Sequence, residues 1–191
     1  MSKNKRVLNE QQKILLSKKM SYALRHRPDK FGLKLDEFGR VNILVFSEAI
    51  SEIPENVIDI VNNDKKRRFI ISDDDKIFAA QGHSIDVVPD VKKIDVKDLK
   101  GQGFAYHGTF IENKKRIFQE GLLKKNRNFV HLTLDKNIAI ENGKRWSKNG
   151  DEYCLIVVDV LSMIKDKKEV FIAKNEVILT EYVDPKYIKE I

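Results

Sequence analysis

Three short stretches of the sequence gather side chains that could do chemistry. Leu24-Arg25-His26-Arg27-Pro28 sets a forked guanidinium beside an imidazole. Such a pair can hold a phosphate bidentately while the histidine donates a further hydrogen bond. Cations at the end of a helix also complement its macrodipole, so the pair has a purely structural reading as well. Gln81-Gly82-His83-Ser84 places a glycine among polar side chains, which allows close backbone approach to a ligand. Taken alone, it reads as a turn whose His and Ser cap local backbone groups. The third feature is a pair of histidines on two strands, in Tyr106-His107-Gly108-Thr109 and Val130-His131-Leu132-Thr133. Side by side, these strands could line a nucleotide pocket. Alternatively, each histidine is a core residue satisfied by a backbone carbonyl. A zinc site is disfavoured, because His26, His83, His107 and His131 lie far apart with no carboxylate at ligand spacing, so no metal is expected.

Several other chemistries lack their residues. There is no GxxxxGK[ST] phosphate loop and no GxSxG elbow. Gly101-Gln102-Gly103 lacks the third glycine and the preceding strand of a dinucleotide fingerprint. Cys154 sits inside the apolar run YCLIVVDV and reads as core rather than as a nucleophile. Trp146 reads as a packing residue near a helix end.

The elements that must position these residues are legible from pattern. Leu16, Met20, Ala23 and Leu24 share one face of a helix over residues 10–27, which Pro28 stops. Leu33–Leu35 and Arg40–Val41 predict a hairpin with Gly39 in its turn. Helices are predicted over Ile43–Ile50, with Asn42 as N-cap, and over Pro54–Asn62. Arg68–Ile71 and Ile77–Ala79 read as strands, with Asp73, Asp74 and Asp75 between them. Residues 86–100 are charged and weakly periodic, and read as a linker or an edge strand. Beyond them, strands are expected at Phe104–His107, Phe129–Leu132, Tyr153–Val160, Val170–Ile172 and Glu176–Leu179. Helices are expected at Ile111–Gly121 and Lys136–Trp146.

The chain has 191 residues and a formal net charge of +7. That is enough to bury a real core without staples. The single cysteine excludes a disulfide framework and favours a reducing, cytoplasmic setting. No apolar run approaches the roughly 18 residues of a membrane span, and the N-terminus has no signal-like apolar region. The charge is uneven. Residues 1–40 hold eleven Lys/Arg against four acids, whereas the remaining 151 residues hold 25 of each sign. A basic end on a neutral body suggests a polyanion such as nucleic acid, or simply a solubilising terminus.

Taken in order, these segments resemble the RNA 2′-phosphotransferase family. The matching stretches are Leu16-Ser17-Lys18 through Pro28, then Gly32-Leu33 with Leu35-Asp36 and Gly39, and Lys66 to Phe69. Ala79-Ala80-Gln81-Gly82-His83-Ser84 and Tyr106-His107-Gly108-Thr109 follow. Arg127 to Thr133, Gly143-Lys144-Arg145 and Asn175 to Glu181 complete the set. They span about residues 15–182. The resemblance implies an α+β protein. A winged-helix-like RNA lobe would occupy residues 1–88 and a linker residues 89–100. An ADP-ribosyltransferase-like, β-rich NAD lobe would occupy residues 101–191, with the active site in the cleft between the lobes.

The resemblance also implies NAD as co-substrate, an RNA bearing a 2′-phosphate (tRNA-like) as partner, no membrane, and a monomer. The RNA phosphate would displace nicotinamide from NAD. The neighbouring 2″-hydroxyl would then release RNA 2′-hydroxyl and ADP-ribose 1″,2″-cyclic phosphate. Arg25, His26 and Arg145 match three of the family's four catalytic positions. Lys76, Gln81, His83 and Ser84 would serve the phosphate or RNA. His107, Gly108, Thr109, Arg127, His131, Leu132 and Thr133 would serve NAD, with a third core position near Val177. The remaining catalytic arginine falls at Phe78, whose ring cannot neutralise a phosphate oxygen; Lys76 and Arg68 are its nearest basic neighbours in sequence. Phe129 stands where the family often has a polar residue. The alternatives are an ADP-ribosyltransferase stalled after the first step or acting on terminal nucleic-acid phosphates, and a non-catalytic RNA- or NAD-binding module.

Overall fold

The computed structural model describes residues 7–145 and 152–189. The chain is mixed α and β and divides into two compact units, one up to Asp90 and one from Val91 onward.

In the first unit, α1 (Glu10–Arg25) opens on a capping box, in which Asn9 and Gln12 each accept the other's backbone N–H. It buries Leu16, Met20, Ala23 and Leu24. His26 caps it, and Pro28 begins a 3-10 turn over Pro28–Phe31, as the stop signal predicts. β1 (Val41–Asn42) leads into α2 (Ile43–Ala49), where the Asn42 carboxamide accepts from Leu44 and Val45 N–H. α3 (Pro54–Asn63), β2 (Phe69–Ile71) and β3 (Lys76–Ala79) follow. The antiparallel sheet runs β1-β3-β2, with Val41 opposite Ile77 and Ile70 opposite Phe78. Ile77 and Ala79 join the helix-backed core with Phe46, Ile50 and Val57.

The turn of the predicted hairpin forms, with Gly39 N–H donating to Asp36 O at 2.9 Å and Asp36 N–H to Arg40 O at 3.0 Å, but residues 33–35 make no strand. The Asp36 carboxylate accepts from the N–H groups of Phe38 and Arg40, and Gly39 has φ +74°. This tight loop leaves residues 33–35 without strand pairing, and Val41 pairs with β3 instead.

In the second unit, residues expected as a linker contain β4 (Val91–Lys93), an edge strand, and a 3-10 turn over Val96–Leu99. Then come β5 (Phe104–Phe110), α4 (Asn113–Glu120), β6 (Leu122–Leu123), β7 (Val130–Leu132) and α5 (Lys136–Lys144). β8 (Tyr153–Asp159), α6 (Val160–Lys165), β9 (Val170–Ala173), β10 (Ile178–Thr180), β11 (Tyr182–Val183) and β12 (Ile188–Lys189) complete it. Two antiparallel sheets, β4-β9-β10-β7 and β12-β8-β5, meet where Tyr106 and Thr133 exchange backbone hydrogen bonds of 2.8 and 3.0 Å. Leu132, Ile156, Val158, Ile178 and Met163 fill the core.

Boundaries move for local reasons. Val160 leaves the strand because the Asp159 carboxylate accepts from Ser162 N–H and starts a helix there. Glu176 has φ +64° and belongs with Val177 to the turn between β9 and β10, so the strand begins at Ile178. Trp146 lies outside the described residues. Among the described residues no helix is long and apolar enough to cross a membrane.

Candidate active site

The first two sequence clusters are one structure. α1 ends with Arg25 and His26, and the segment after β3 folds back along them. Ser84 N–H donates to Arg25 O at 2.9 Å, and Ser84 Oγ lies 2.9 Å from His26 Nδ1. Gly82 adopts φ +91°, and a Cβ there would sit 3.5 Å from Arg25 Nη1. The glycine thus brings the main chain flat against the guanidinium. Arg25 is only 9% exposed. Its Cζ lies 5.9 Å from the Phe69 ring centroid, and Nη2 donates a long 3.4 Å hydrogen bond to Arg68 O. Gln81 is half-buried beside this clamp.

His83 lies beneath it, 5% exposed, and its Nε2 makes no hydrogen bond. Burial, reinforced by the charges of Arg25 and His26, pushes its imidazole down from 6.5 to about 4. It is therefore neutral at pH 7. The unfolded chain takes up this proton below about pH 6.5, whereas the folded chain resists until about pH 4. The stability contribution is thus fully present above 6.5 and is lost as pH falls through 4. It amounts to on the order of 3 kcal/mol. Urea unfolding at pH 7 and pH 4 should show this loss in the wild type, and His83→Gln should flatten the difference.

Lys76, predicted near the phosphate, is held by two carboxylates, Asp36 at 3.5 Å and Asp74 at 3.3 Å. Arg68 forks onto Asp64, with Nε–Oδ2 at 3.0 Å and Nη2–Oδ1 at 2.9 Å. Phe78 is buried, and the Arg40 guanidinium lies 5.1 Å from its ring centroid. Sequence reasoning missed Arg40. Its only signal was the pairing register of a two-residue strand.

In the second unit, β5 and β7 bring the two histidine motifs together. His107 Nδ1 lies 3.0 Å from the His131 carbonyl. A carbonyl only accepts, so Nδ1 carries the proton, and the neutral ring offers Nε2 as an acceptor. Burial pushes the His107 imidazole down; the contact to the His131 backbone opposes this, while the charges of Arg127 and Lys125 add to it. The core-histidine reading thus accounts for Nδ1, whereas the nearby cations suit an anionic ligand. His131 itself pairs with Leu179, and Leu132 is a buried core residue opposite Ile178.

Gly108 is required by packing. A Cβ there would fall 1.7 Å from Ala139 O and 2.8 Å from Gly143 N, so α5 lies directly on the strand. Thr109 Oγ1 accepts from Asn113 Nδ2 at 3.0 Å, and Thr133 Oγ1 accepts from Asp135 N–H. Arg145 caps α5 and is exposed. Phe129 packs edge-on against Phe171, which explains its apolar character. Cys154 is buried opposite Thr109, and burial pushes its thiol up, consistent with packing rather than reactivity.

The first unit thus holds an arginine–histidine clamp, and the second holds two histidine motifs on neighbouring strands. The family model described as RNA 2'-phosphotransferase, Tpt1 / KptA family, matches residues 11–182, and the chain belongs to this family. It is 36% identical to a probable RNA 2'-phosphotransferase of Flavobacterium johnsoniae, over 95% of this chain and 98% of the relative. Relatives of the same description from Fusobacterium nucleatum (33%, covering 92% and 97%) and Thermococcus kodakarensis (35%, covering 91% and 94%) are similar.

Proposed function

We propose that the chain removes an internal RNA 2′-phosphate with NAD as co-substrate. The observation that carries this reading is the clamp of Arg25 and His26 by Gly82-His83-Ser84, a buried guanidinium beside an imidazole. In the first step, an oxygen of the RNA 2′-phosphate bonds to the anomeric carbon of the nicotinamide ribose. The carbon–nitrogen bond breaks, and nicotinamide leaves with its electron pair. In the second, the ribose 2″-oxygen bonds to phosphorus and the bond to the RNA 2′-oxygen breaks. The 2″-hydroxyl proton ends on the RNA 2′-oxygen. The products are 2′-hydroxyl RNA, ADP-ribose 1″,2″-cyclic phosphate and nicotinamide.

Positioning and charge stabilisation dominate such a transfer. Arg25 neutralises the phosphate, His26 donates to it, and Ser84 holds His26 in place. Arg145 supplies further positive charge. The residues of the second unit fit a dinucleotide: His107 Nε2 suits a ribose hydroxyl, and Arg127 suits a pyrophosphate. Gly108 and Thr109 on β5, His131 and Leu132 on β7, and Thr133 at the bridge to Tyr106 serve the same NAD site.

On this reading the first unit is a winged-helix-like RNA lobe and the second an ADP-ribosyltransferase-like lobe. The protein works as a monomer in the cytoplasm, a reducing compartment that suits its single buried cysteine. Incubation with NAD and an oligonucleotide bearing one internal 2′-phosphate should yield the 2′-hydroxyl oligonucleotide and the cyclic phosphate. An oligonucleotide that stays phosphorylated at high enzyme concentration overturns the proposal. One that gains and keeps an ADP-ribosyl mass favours the stalled transferase.

A further inference from the structure

The weak point of this chemistry is Phe78, a ring where the resemblance implies a third arginine. We propose that Arg40 binds the 2′-phosphate in its place, an inference that rests on the reading of the clamp as a phosphate site. The register of β1 and β3 pairs Val41 with Ile77 and Asn42 with Lys76. One step further sets residue 40 opposite residue 78, and cross-strand neighbours share a face. A guanidinium from either position can therefore serve the same volume. Alternation sends Ile77 and Ala79 into the helix-backed core, leaving Phe78 on the other face.

There the Arg40 guanidinium lies 5.1 Å from the Phe78 centroid and 5.0 Å from that of Phe38. The rings provide a platform that orients a planar cation. Asp90 holds it through one contact, Nη2 to Oδ2 at 3.1 Å, while Nε is buried and makes no hydrogen bond. The group is thus anchored yet keeps donors for a phosphate, unlike Arg68, whose fork is filled by Asp64. It also borders the clamp. Gly39, the preceding residue, lies against His83, where a Cβ would come 3.4 Å from Nε2. His83 in turn feels the charges of Arg25 and His26.

The test measures binding of one oligonucleotide carrying either a 2′-phosphate or a 2′-hydroxyl, together with single-turnover rates in NAD. Three proteins are compared: wild type, Arg40→Gln, and the exchange Arg40→Phe with Phe78→Arg. The wild type should prefer the 2′-phosphate about tenfold or more, and Arg40→Gln should lose most of that preference. Arg40→Gln should also slow phosphate removal about 10²-fold, and the exchange should return the rate to within tenfold of wild type. Arg40→Gln with preference and rate within about threefold of wild type overturns the role of Arg40 alone. A folded exchange variant as weak as Arg40→Gln does the same. A wild type that binds both oligonucleotides equally overturns the reading of the site and Arg40's part in it together.

Discussion

Replacing Arg25 with alanine should lower the rate of 2′-phosphate removal about 10³-fold or more while leaving the first unit folded. The side chain is 9% exposed and lies against Gly82 and the Phe69 ring, so its position is set by packing before any ligand arrives. A preorganised cation costs no rearrangement when charge shifts across the phosphate, which is why its loss falls on the rate. Removing a buried guanidinium also relieves its desolvation, so stability should change by less than about 2 kcal/mol. Arg25→Lys should recover little, because an ammonium cannot fork onto two oxygens. A second measurement separates charge from scaffolding. Without the Arg25 charge, the His83 imidazole should rise from about 4, followed by NMR of its ring protons. Arg25→Ala with rates within tenfold of wild type would remove the phosphate role assigned to this residue.

Gly108→Ala should unfold or severely weaken the second unit, costing about 3 kcal/mol or more. The new methyl carbon would stand 1.7 Å from Ala139 O and 2.7 Å from Ala139 C. Both are backbone atoms of α5, so no rotamer change relieves the overlap. The helix must move as a whole or β5 must break its register with β8, where Gly108 faces Leu155. Either route disturbs the Thr109 to Asn113 contact and moves Arg145 at the end of α5. Thermal unfolding of the alanine variant measures the effect. A variant that melts within about 2 °C of wild type would show that α5 does not sit as close to the strand as described.

The parts of this fold that could be read in advance share one property: their signals are local. α1 announces itself through a four-residue apolar face and Pro28. α2 follows from Asn42, and Cys154 from its place in an apolar run. The predictions that failed concern pairing. Residues 33–35 were expected to pair with 40–41, but Asp36 closes the loop with its carboxylate and Val41 finds β3 thirty-six residues on. α6 is the exception: its signal, the Asp159 carboxylate, is local, but the apolar run before it carries the strand reading over Val160.

The sequence by itself determined the family, the basic first forty residues, the residue types at Arg25, His26, His107 and His131, and the ring at Phe78. Types and order along a chain are enough for that. Only the tertiary structure decided which of them act together. It folded Gly82-His83-Ser84 onto Arg25 and His26, and drove His83 to neutrality by burial. It laid α5 directly on Gly108, and set the Arg40 cation over the aromatic side chain at residue 78. Each of these depends on strand register or helix placement. Register depends on apolar burial summed over residues distant in sequence, which no short window contains.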